Sequence, residues 1–105
     1  MVRCLLLLLI AAVPLLRAEL PRRTFTFKKI GTVEVQADVY RAKDRKVRPV
    51  LVWLHGGALI NGNRGGVPGR LRQLAEREGY VLVSLDYRLA PETQLPAIIA
   101  DVMDG

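Results

Sequence analysis

Cysteine is almost absent from this chain. Cys4 is the only one among 105 residues, and it precedes an apolar run near the N-terminus. If that run is removed as a leader, the remaining chain has no thiol and forms no disulfide. Export from the cytoplasm permits disulfides but does not require them. The sequence therefore predicts a domain that is stabilised by a packed apolar core rather than by covalent cross-links.

Histidine is equally scarce, with His55 as its single representative. One imidazole and no mature thiol cannot supply the three or four protein ligands of a zinc site. The phosphate-binding patterns G-x-x-x-x-G-K-[ST] and G-x-G-x-x-G are also missing from the sequence. These absences argue against a resident metal and a bound nucleotide, and the sequence predicts no cofactor.

The apolar runs are too short to span a bilayer, which takes ~20 residues. Residues 5–13 are apolar throughout, with Arg3 before them and a short segment that ends in Ala18 after them. A cationic start, a short apolar middle and a small residue at the end are typical of a secretory signal peptide. We predict a signal peptide over residues 1–18, with an uncleaved anchor or a buried helix as the alternatives. The mature domain over residues 19–105 is then secreted or periplasmic, without a stable membrane span.

Basic residues outnumber acidic ones by sixteen to ten, which gives a formal charge of +6. Loss of Arg3 and Arg17 with the signal leaves a charge of +4. The cations concentrate in residues 41–48, where a nucleic-acid or membrane surface is one interpretation. No aromatic side chain falls within that stretch to stack on bases. The sequence favours a solvated connecting loop there and predicts no nucleic-acid partner.

Apolar and polar residues alternate after the polar junction at residues 19–23. Phe25 and Phe27 alternate with threonines and lysines, and beyond Gly31 the same period continues through residues 33–39. One apolar face and one solvated face are typical of antiparallel strands. The pattern predicts an N-terminal hairpin with its turn or bulge at Gly31.

Continuous apolar runs replace this alternation in the middle of the chain. Residues 50–54 and 81–85 predict strands that are covered on both faces. Between them, Leu71, Leu74 and Ala75 fall on one face of a helix. Strand, glycine loop, helix and strand together predict a parallel βαβ unit, and the fold class is α/β.

Proline and glycine mark the ends of the predicted helices. Pro68 suits the first turn of the helix between the two strands, and Gly79 suits its end. Pro96 begins a last helix with an apolar side, which carries Ile98 and Val102.

A glycine loop, His55-Gly56-Gly57-Ala58, directly follows the first of the two buried strands. Glycines without side chains leave backbone N–H groups free to approach a substrate. Such donors stabilise the negative oxygen of the tetrahedral intermediate in ester hydrolysis, by about 3–4 kcal/mol each. The loop therefore has the composition of an oxyanion hole.

Two segments carry a resemblance to a known family. Residues 54–58 resemble the HGG[GA] oxyanion loop of α/β-hydrolase esterases and lipases. Residues 86–92, DYRLAPE, resemble a segment of the hormone-sensitive-lipase-like group and related bacterial esterases. The resemblance covers residues 33–105 and implies the N-terminal portion of an α/β-hydrolase sheet, a carboxylic-ester hydrolase and a small-molecule ester substrate. A peptidase of the same fold and a non-catalytic binding protein on this scaffold are the alternatives.

The resemblance also implies roles for single residues. The backbone N–H groups of Gly57 and Ala58, together with that of Gly56, would bind the oxyanion. His55 would brace the loop and would not act as the catalytic base. The wall behind the site would be formed by Asp86, Tyr87 and Arg88, with Arg88 paired to Glu92 or to another carboxylate.

The family's nucleophile has no counterpart among these residues. The single serine, Ser84, lies inside the second buried strand and not in a G-x-S-x-G turn, so the sequence predicts a structural hydroxyl. In this fold the acid and base follow the nucleophile in chain order. The resemblance therefore places the whole triad beyond Gly105 and predicts that the chain alone is inactive. Without the neighbouring nucleophile strand, residues 50–54 are expected to form an exposed apolar edge.

Overall fold

The computed structural model describes residues 19–105 of the chain. The predicted signal peptide over residues 1–18, its two alternatives and Cys4 lie outside the described residues. Within the described part, no helix combines the length and the apolar character needed to cross a membrane.

A long antiparallel hairpin begins the described chain. Strand β1 covers Arg22–Ile30 and strand β2 covers Val33–Tyr40, with Ile30 paired to Val33 next to the turn. Gly31 lies in the turn with a φ of 58°, a conformation that glycine adopts without steric penalty. The prediction of a hairpin with its turn at Gly31 is confirmed.

The βαβ unit follows as predicted. Strand β3 covers Val50–Leu54, helix α1 covers Gly69–Glu78 and strand β4 covers Val81–Leu85. The two strands pair in parallel along their whole length. Helix α1 ends at Gly79, whose φ of 70° gives the left-handed cap that glycine favours.

The four strands form one mixed sheet in the order β1-β2-β4-β3. Strand β2 runs antiparallel to β4, so the hairpin extends the sheet on the side away from β3. A short 3-10 helix, Arg64–Gly66, precedes α1, and a last helix, α2, covers Leu95–Asp104. The arrangement matches the predicted hairpin and parallel unit.

The main core lies between the sheet and α1. Ala75 of the helix and Leu82 of β4 have no exposed surface, and they are buried together with Tyr40 and Val67. Five partly buried side chains pack around this cluster: Leu20, Leu51, Trp53, Leu71 and Tyr80.

Strand β3 is less covered than its apolar sequence predicts. Val50, Val52 and Leu54 are between 45% and 60% exposed, so the prediction of burial on both faces is wrong for this strand. The reason is its position, because β3 is an edge strand whose one partner among residues 19–105 is β4. The core covers only the face that carries Leu51 and Trp53. The expected exposed apolar edge is confirmed.

Candidate active site

The two parallel strands end at the same edge of the sheet, because Leu54 pairs with Leu85. The loop that begins at His55 follows β3, and residues 86–88 follow β4. Ligands of open α/β sheets bind beyond the carboxyl ends of the strands. The fold therefore brings the two sequence motifs together where a ligand site is expected.

The backbone of the glycine loop turns sharply. Gly57 has a φ of 123°, and Ala58 and Leu59 have φ values of 54° and 65°. The carbonyl oxygen of Gly57 accepts hydrogen bonds from the N–H groups of Ile60 at 3.0 Å and Asn61 at 3.2 Å. A Cβ on Gly57 would lie 2.1 Å from the carbonyl oxygen of Asn61, so the turn admits only glycine without a backbone shift.

The amides at the centre of this turn have no internal partner. No carbonyl or side chain of residues 19–105 accepts a hydrogen bond from the N–H of Gly57 or of Ala58. Backbone N–H groups in proteins are nearly always paired with protein or with water. These two amides are the donors that the sequence predicts for an oxyanion, and the loop leaves them available to a ligand.

His55 is part of the framework beneath this loop. Its ring is stacked on the ring of Tyr87, with centroids 4.1 Å apart and planes 4° from parallel. The Tyr87 hydroxyl donates to the carbonyl oxygen of His55 at 2.5 Å, and His55 Nδ1 lies 2.9 Å from the carbonyl oxygen of Gly56. Because a carbonyl only accepts, this contact requires the proton on Nδ1.

The opposite ring nitrogen of His55 faces a closed environment. Nε2 is buried without a hydrogen-bond partner among the described residues, and the residue as a whole is 5% exposed. A Cβ on Gly62 would lie 2.6 Å from Nδ1, so the far end of the loop packs directly on the ring. The imidazole is therefore enclosed by its own loop and by Tyr87, and it does not point at solvent.

Asp86 holds the other end of the loop through Arg64. The Asp86 carboxylate accepts from the backbone N–H of Arg64 at 2.7 Å and forms an ion pair with the guanidinium. Arg64 Nε also donates to Asp38 Oδ1 of β2 at 2.9 Å. The carbonyl oxygen of Arg64 accepts from the hydroxyl of Ser84 at 2.7 Å. Arg64 thus fixes the loop to two strands of the sheet.

The electrostatics of Arg64 reflect these two carboxylates. Burial is the largest single influence and lowers the pKa of the guanidinium, but the hydrogen bonds with Asp86 and Asp38 outweigh it, and the net pKa is raised. The two carboxylates therefore favour the charged form of the guanidinium.

Arg88 pairs with Asp101 and not with Glu92, the nearer alternative in the sequence. Its Nε and Nη2 donate to the two oxygens of the Asp101 carboxylate at 2.8 Å each, and its backbone N–H donates at 3.0 Å. Lys28 of β1 lies 2.9 Å from the same carboxylate. Asp101 itself has no exposed surface. The pair fixes helix α2 to the segment that follows β4.

These contacts hold the pKa of Asp101 far below its usual range. The hydrogen bonds from Arg88 are the largest cause; desolvation opposes them and the hydrogen bond from Lys28 adds to them. On the other side of the pair, the hydrogen bond with Asp101 raises the pKa of Arg88.

Ser84 is fully buried in β4, as its bulky neighbours predict. Its hydroxyl donates to the Arg64 carbonyl, so the oxygen is directed at the backbone of the loop and away from solvent. No group of three or more metal-ligating side chains converges among residues 19–105.

Sequence reasoning missed three charged residues of this framework, Asp38, Arg64 and Asp101. A signal was present for Asp101 alone, because it lies three positions after Ile98 on the apolar side of α2. Buried charges are paired as a rule, so this position predicts a cationic partner. Asp38 falls on the polar phase of the alternation in β2, which predicts a solvated side chain. Nothing in the local pattern of Arg64 separates it from the other arginines.

The chain was compared with known proteins. The family described as BD-FAE matches residues 37–105. A methylphloroacetophenone synthase of Cladonia uncialis is 39% identical over 84 residues, which are 75% of this chain and 3% of the synthase. The chloroplastic tuliposide A-converting enzyme 2 of Tulipa gesneriana is 45% identical over 62 residues, which are 57% of this chain and 16% of that enzyme.

The fold of the chain is also similar to that of solved structures. An esterase of Pyrobaculum calidifontis superposes with a TM-score of 0.68 at 37% sequence identity, over 80% of this chain and 27% of the esterase. The chain thus spans less than a third of the length of each of these relatives. The structural neighbours of this chain include esterases of the α/β-hydrolase fold. The match over residues 37–105 shows that the chain belongs to the BD-FAE family.

Proposed function

We propose that this chain supplies the oxyanion hole of a serine carboxylic-ester hydrolase that acts on small-molecule esters. The observation that carries the proposal is the pair of unengaged amides at Gly57 and Ala58, on a turn at the carboxyl end of a parallel strand. The HGGA and DYRLAPE segments, which meet at this edge, support the same assignment.

The proposed chemistry follows from what backbone amides do. Attack on an ester carbonyl converts its oxygen into an anion, and two fixed N–H groups stabilise that anion more than they stabilise the neutral carbonyl. Only such a difference lowers the barrier. Each donor of this kind contributes about 2.7–4 kcal/mol, or 10²–10³ in rate. The N–H of Gly56 is a third donor in the proposal.

The remaining residues of the site serve this loop in the proposal. His55 braces it from below, because its Nδ1 proton is engaged by the Gly56 carbonyl and its ring is stacked on Tyr87. Asp86 holds the loop through Arg64, and Arg88 orders the wall segment through Asp101. In the proposal none of these groups acts as the catalytic base.

Nucleophile, base and acid are therefore proposed to come from outside residues 1–105. The one serine is buried and donates to a backbone carbonyl, and the one histidine is enclosed beneath the loop. In this fold the acid and base follow the nucleophile in the chain, so the proposal puts all three triad members after Gly105. In this proposal residues 1–105 bind the transition state without forming a covalent bond to it.

Hydrolysis of a short-chain p-nitrophenyl ester tests the proposal. The natural gene product is expected to release p-nitrophenolate, and residues 1–105 alone are expected to give the background rate. Turnover by residues 1–105 that disappears in S84A would overturn the assignment of Ser84 and, with it, the need for an external nucleophile. A gene product that hydrolyses no ester would favour a binding protein on the same scaffold.

Export of the protein is a separate proposal, based on the signal-like composition of residues 1–18. Mass spectrometry of the exported product is expected to find Glu19 at its N-terminus. A product that retains Met1 and sediments with membranes would support the anchor instead.

A further inference from the structure

A cavity lies at the opposite end of the sheet from the HGGA loop. It has a volume of about 650 Å³ and is lined by residues from the start of β1, the end of β2 and the loop after β2. Tyr40, the last residue of β2, pairs with Leu82 near the start of β4. The loop site lies beyond the other end of β4, about 15 Å away at ~3.3 Å per residue. The cavity is therefore separate from the proposed oxyanion hole.

Five cations surround this cavity, and we call them the basic rim. None of them forms an ion pair with a carboxylate among residues 19–105. The one acidic residue in the lining, Asp44, is engaged elsewhere, because Arg48 lies 2.5 Å from its carboxylate and holds its pKa below the ordinary value. The basic rim consists of Arg22, Arg23, Arg41, Lys43 and Arg45.

The floor of the cavity and the tip of its loop are apolar. Phe25 is 44% exposed in the lining, with the guanidinium of Arg23 placed 5.1 Å from its ring centroid. Pro21, Val39 and Ala42 are the other apolar residues of the lining. Val47, in the loop that borders the cavity, is 100% exposed. An anionic partner that also offers an apolar layer satisfies both features at once.

We propose that the basic rim binds the surface of an anionic phospholipid bilayer. Lipid phosphates would pair with the rim cations, none of which has a carboxylate partner in the described part of the chain, although Arg41 donates to the Lys46 carbonyl at 2.6 Å. Val47 would enter the apolar boundary below the headgroups. Cationic side chains near an anionic membrane surface attract it additively, and the attraction is screened by salt. The alternative polyanion, a nucleic acid, is disfavoured because the described lining offers a single aromatic ring, Phe25, and Arg23 lies over one of its faces. The proposal does not depend on ester hydrolysis.

Vesicle co-sedimentation of the natural gene product tests this proposal. Vesicles of phosphatidylcholine with about 30% phosphatidylglycerol are expected to bind the protein, and the binding is expected to weaken steeply between about 0.1 M and about 0.5 M salt. Neutral phosphatidylcholine vesicles measure any contribution of the apolar residues 5–13, which is common to all variants. Only the difference between the two vesicle types is assigned to the basic rim.

Charge reversal separates the basic rim from the overall charge. K43E/R45E changes two exposed side chains of the rim, and at least a tenfold loss of anionic-vesicle binding is expected, at about a factor of five per cation removed. R70E/R72E makes the same charge change on the exposed face of α1, and binding is expected to be retained. K43Q/R45Q is a milder second variant, and far-UV circular dichroism verifies the fold of all three.

Three results would overturn the proposal. Equal losses in K43E/R45E and R70E/R72E would show that the net charge acts without a specific surface. Equal binding to neutral and anionic vesicles would assign the affinity to apolar residues. A single-stranded oligonucleotide that binds more tightly than the vesicles, with a loss in K43E/R45E, would assign the basic rim to nucleic acid.

Discussion

Gly57 is the residue at which the loop tolerates the least change. Its φ of 123° is a conformation that L side chains rarely adopt, and the space for a Cβ is filled by the backbone of Asn61. A clash with backbone cannot be relieved by rotating a side chain. Any substitution therefore moves the chain between Gly57 and Asn61, and the amides of Gly57 and Ala58 move with it.

The variant G57A is expected to lower kcat of the natural gene product by about 10²–10³ for a short-chain p-nitrophenyl ester. KM is expected to change much less, because the lost contact is made to the oxyanion and hardly at all to the ground state. Steady-state kinetics on the purified variant measure both constants.

Gly66 provides the matched control for this substitution. A Cβ at Gly66 would meet Trp53 Cη2 at 3.5 Å, which is an ordinary contact. G66A is expected to keep kcat near that of the unmodified protein. Equal losses in G57A and G66A, or an unchanged kcat in G57A, would contradict the role of this turn.

At the scale of elements, Arg64 connects the loop to the sheet. Its backbone and guanidinium reach Asp86 after β4, and its Nε reaches Asp38 on β2. Asp38 is only 3% exposed; its carboxylate keeps one other hydrogen bond, from the hydroxyl of Thr24 at 2.7 Å. Loss of the guanidinium therefore leaves the nearly buried Asp38 carboxylate without its cation and releases the far end of the loop.

R64M keeps an unbranched apolar stem and removes the guanidinium with its charge. The free energy of unfolding of the natural gene product is expected to fall by about 3 kcal/mol, and kcat by about 10–100-fold as the loop shifts. R77M removes the exposed Arg77–Glu78 pair and is expected to change stability by less than about 1 kcal/mol. Urea denaturation and ester kinetics test both variants, and equal effects in the two would contradict the account.

The Asp101 cluster makes the docking of α2 depend on pH. The folded-state pKa of Asp101 lies below the ordinary value of 3.8, so the unfolded chain binds a proton more readily than the native one. The ionised Asp101 carboxylate stabilises the fold fully at pH values well above 3.8. This stabilisation is lost as the pH falls through 3.8 toward the folded-state pKa. The protein is expected to lose stability progressively below about pH 5.

D101N tests this dependence by urea denaturation between neutral and acidic pH. The variant is expected to be less stable at neutral pH, toward the lower end of about 3–5 kcal/mol because Arg88 and Lys28 are each about one-fifth exposed. Its stability is also expected to fall less steeply with acid. E78Q, which removes the exposed ion pair with Arg77, is expected to keep the original acid dependence. A D101N protein with the original acid dependence would contradict the assignment.

At the scale of the whole molecule, the sequence pattern within one strand or helix predicts that element. The contacts between separate elements are not predictable from such local patterns. The period-two residues around Gly31 predict the hairpin, and the apolar runs on either side of α1 predict the parallel unit. Coverage of β3 was mispredicted, because burial of Val52 depends on which strand lies beside it. Likewise, Asp38, Arg64 and Asp86 meet across separations of more than twenty residues, and no local pattern specifies that meeting.

Residues 19–105 in isolation are expected to be molten or aggregated. Val50, Val52 and Leu54 of β3 and Ile99 and Met103 of α2 leave apolar surface uncovered. Full burial of one such side chain contributes about 1.5–3 kcal/mol, and whole domains retain only about 5–15 kcal/mol. Calorimetry is expected to find no cooperative transition, and a sharp melt of a soluble monomer would contradict this.

A lysine on the exposed strand β3 tests whether the isolated residues fail because chains pair through this edge or because packing is lost. V52K is expected to improve the solubility of the isolated residues, because an edge lysine blocks strand pairing between chains. T32K adds the same charge in the hairpin turn and is expected to leave solubility unchanged. Equal solubility of the two variants would show that β3 is not the aggregating edge.

The most direct measurement is a crystal structure of the natural gene product inhibited by a p-nitrophenyl phosphonate ester. The tetrahedral phosphorus places an oxygen where the oxyanion of ester hydrolysis forms. This oxygen is expected about 2.7–3.1 Å from the amide nitrogens of Gly57 and Ala58. A phosphonate oxygen held by other donors, with both amides turned away from it, would contradict the account.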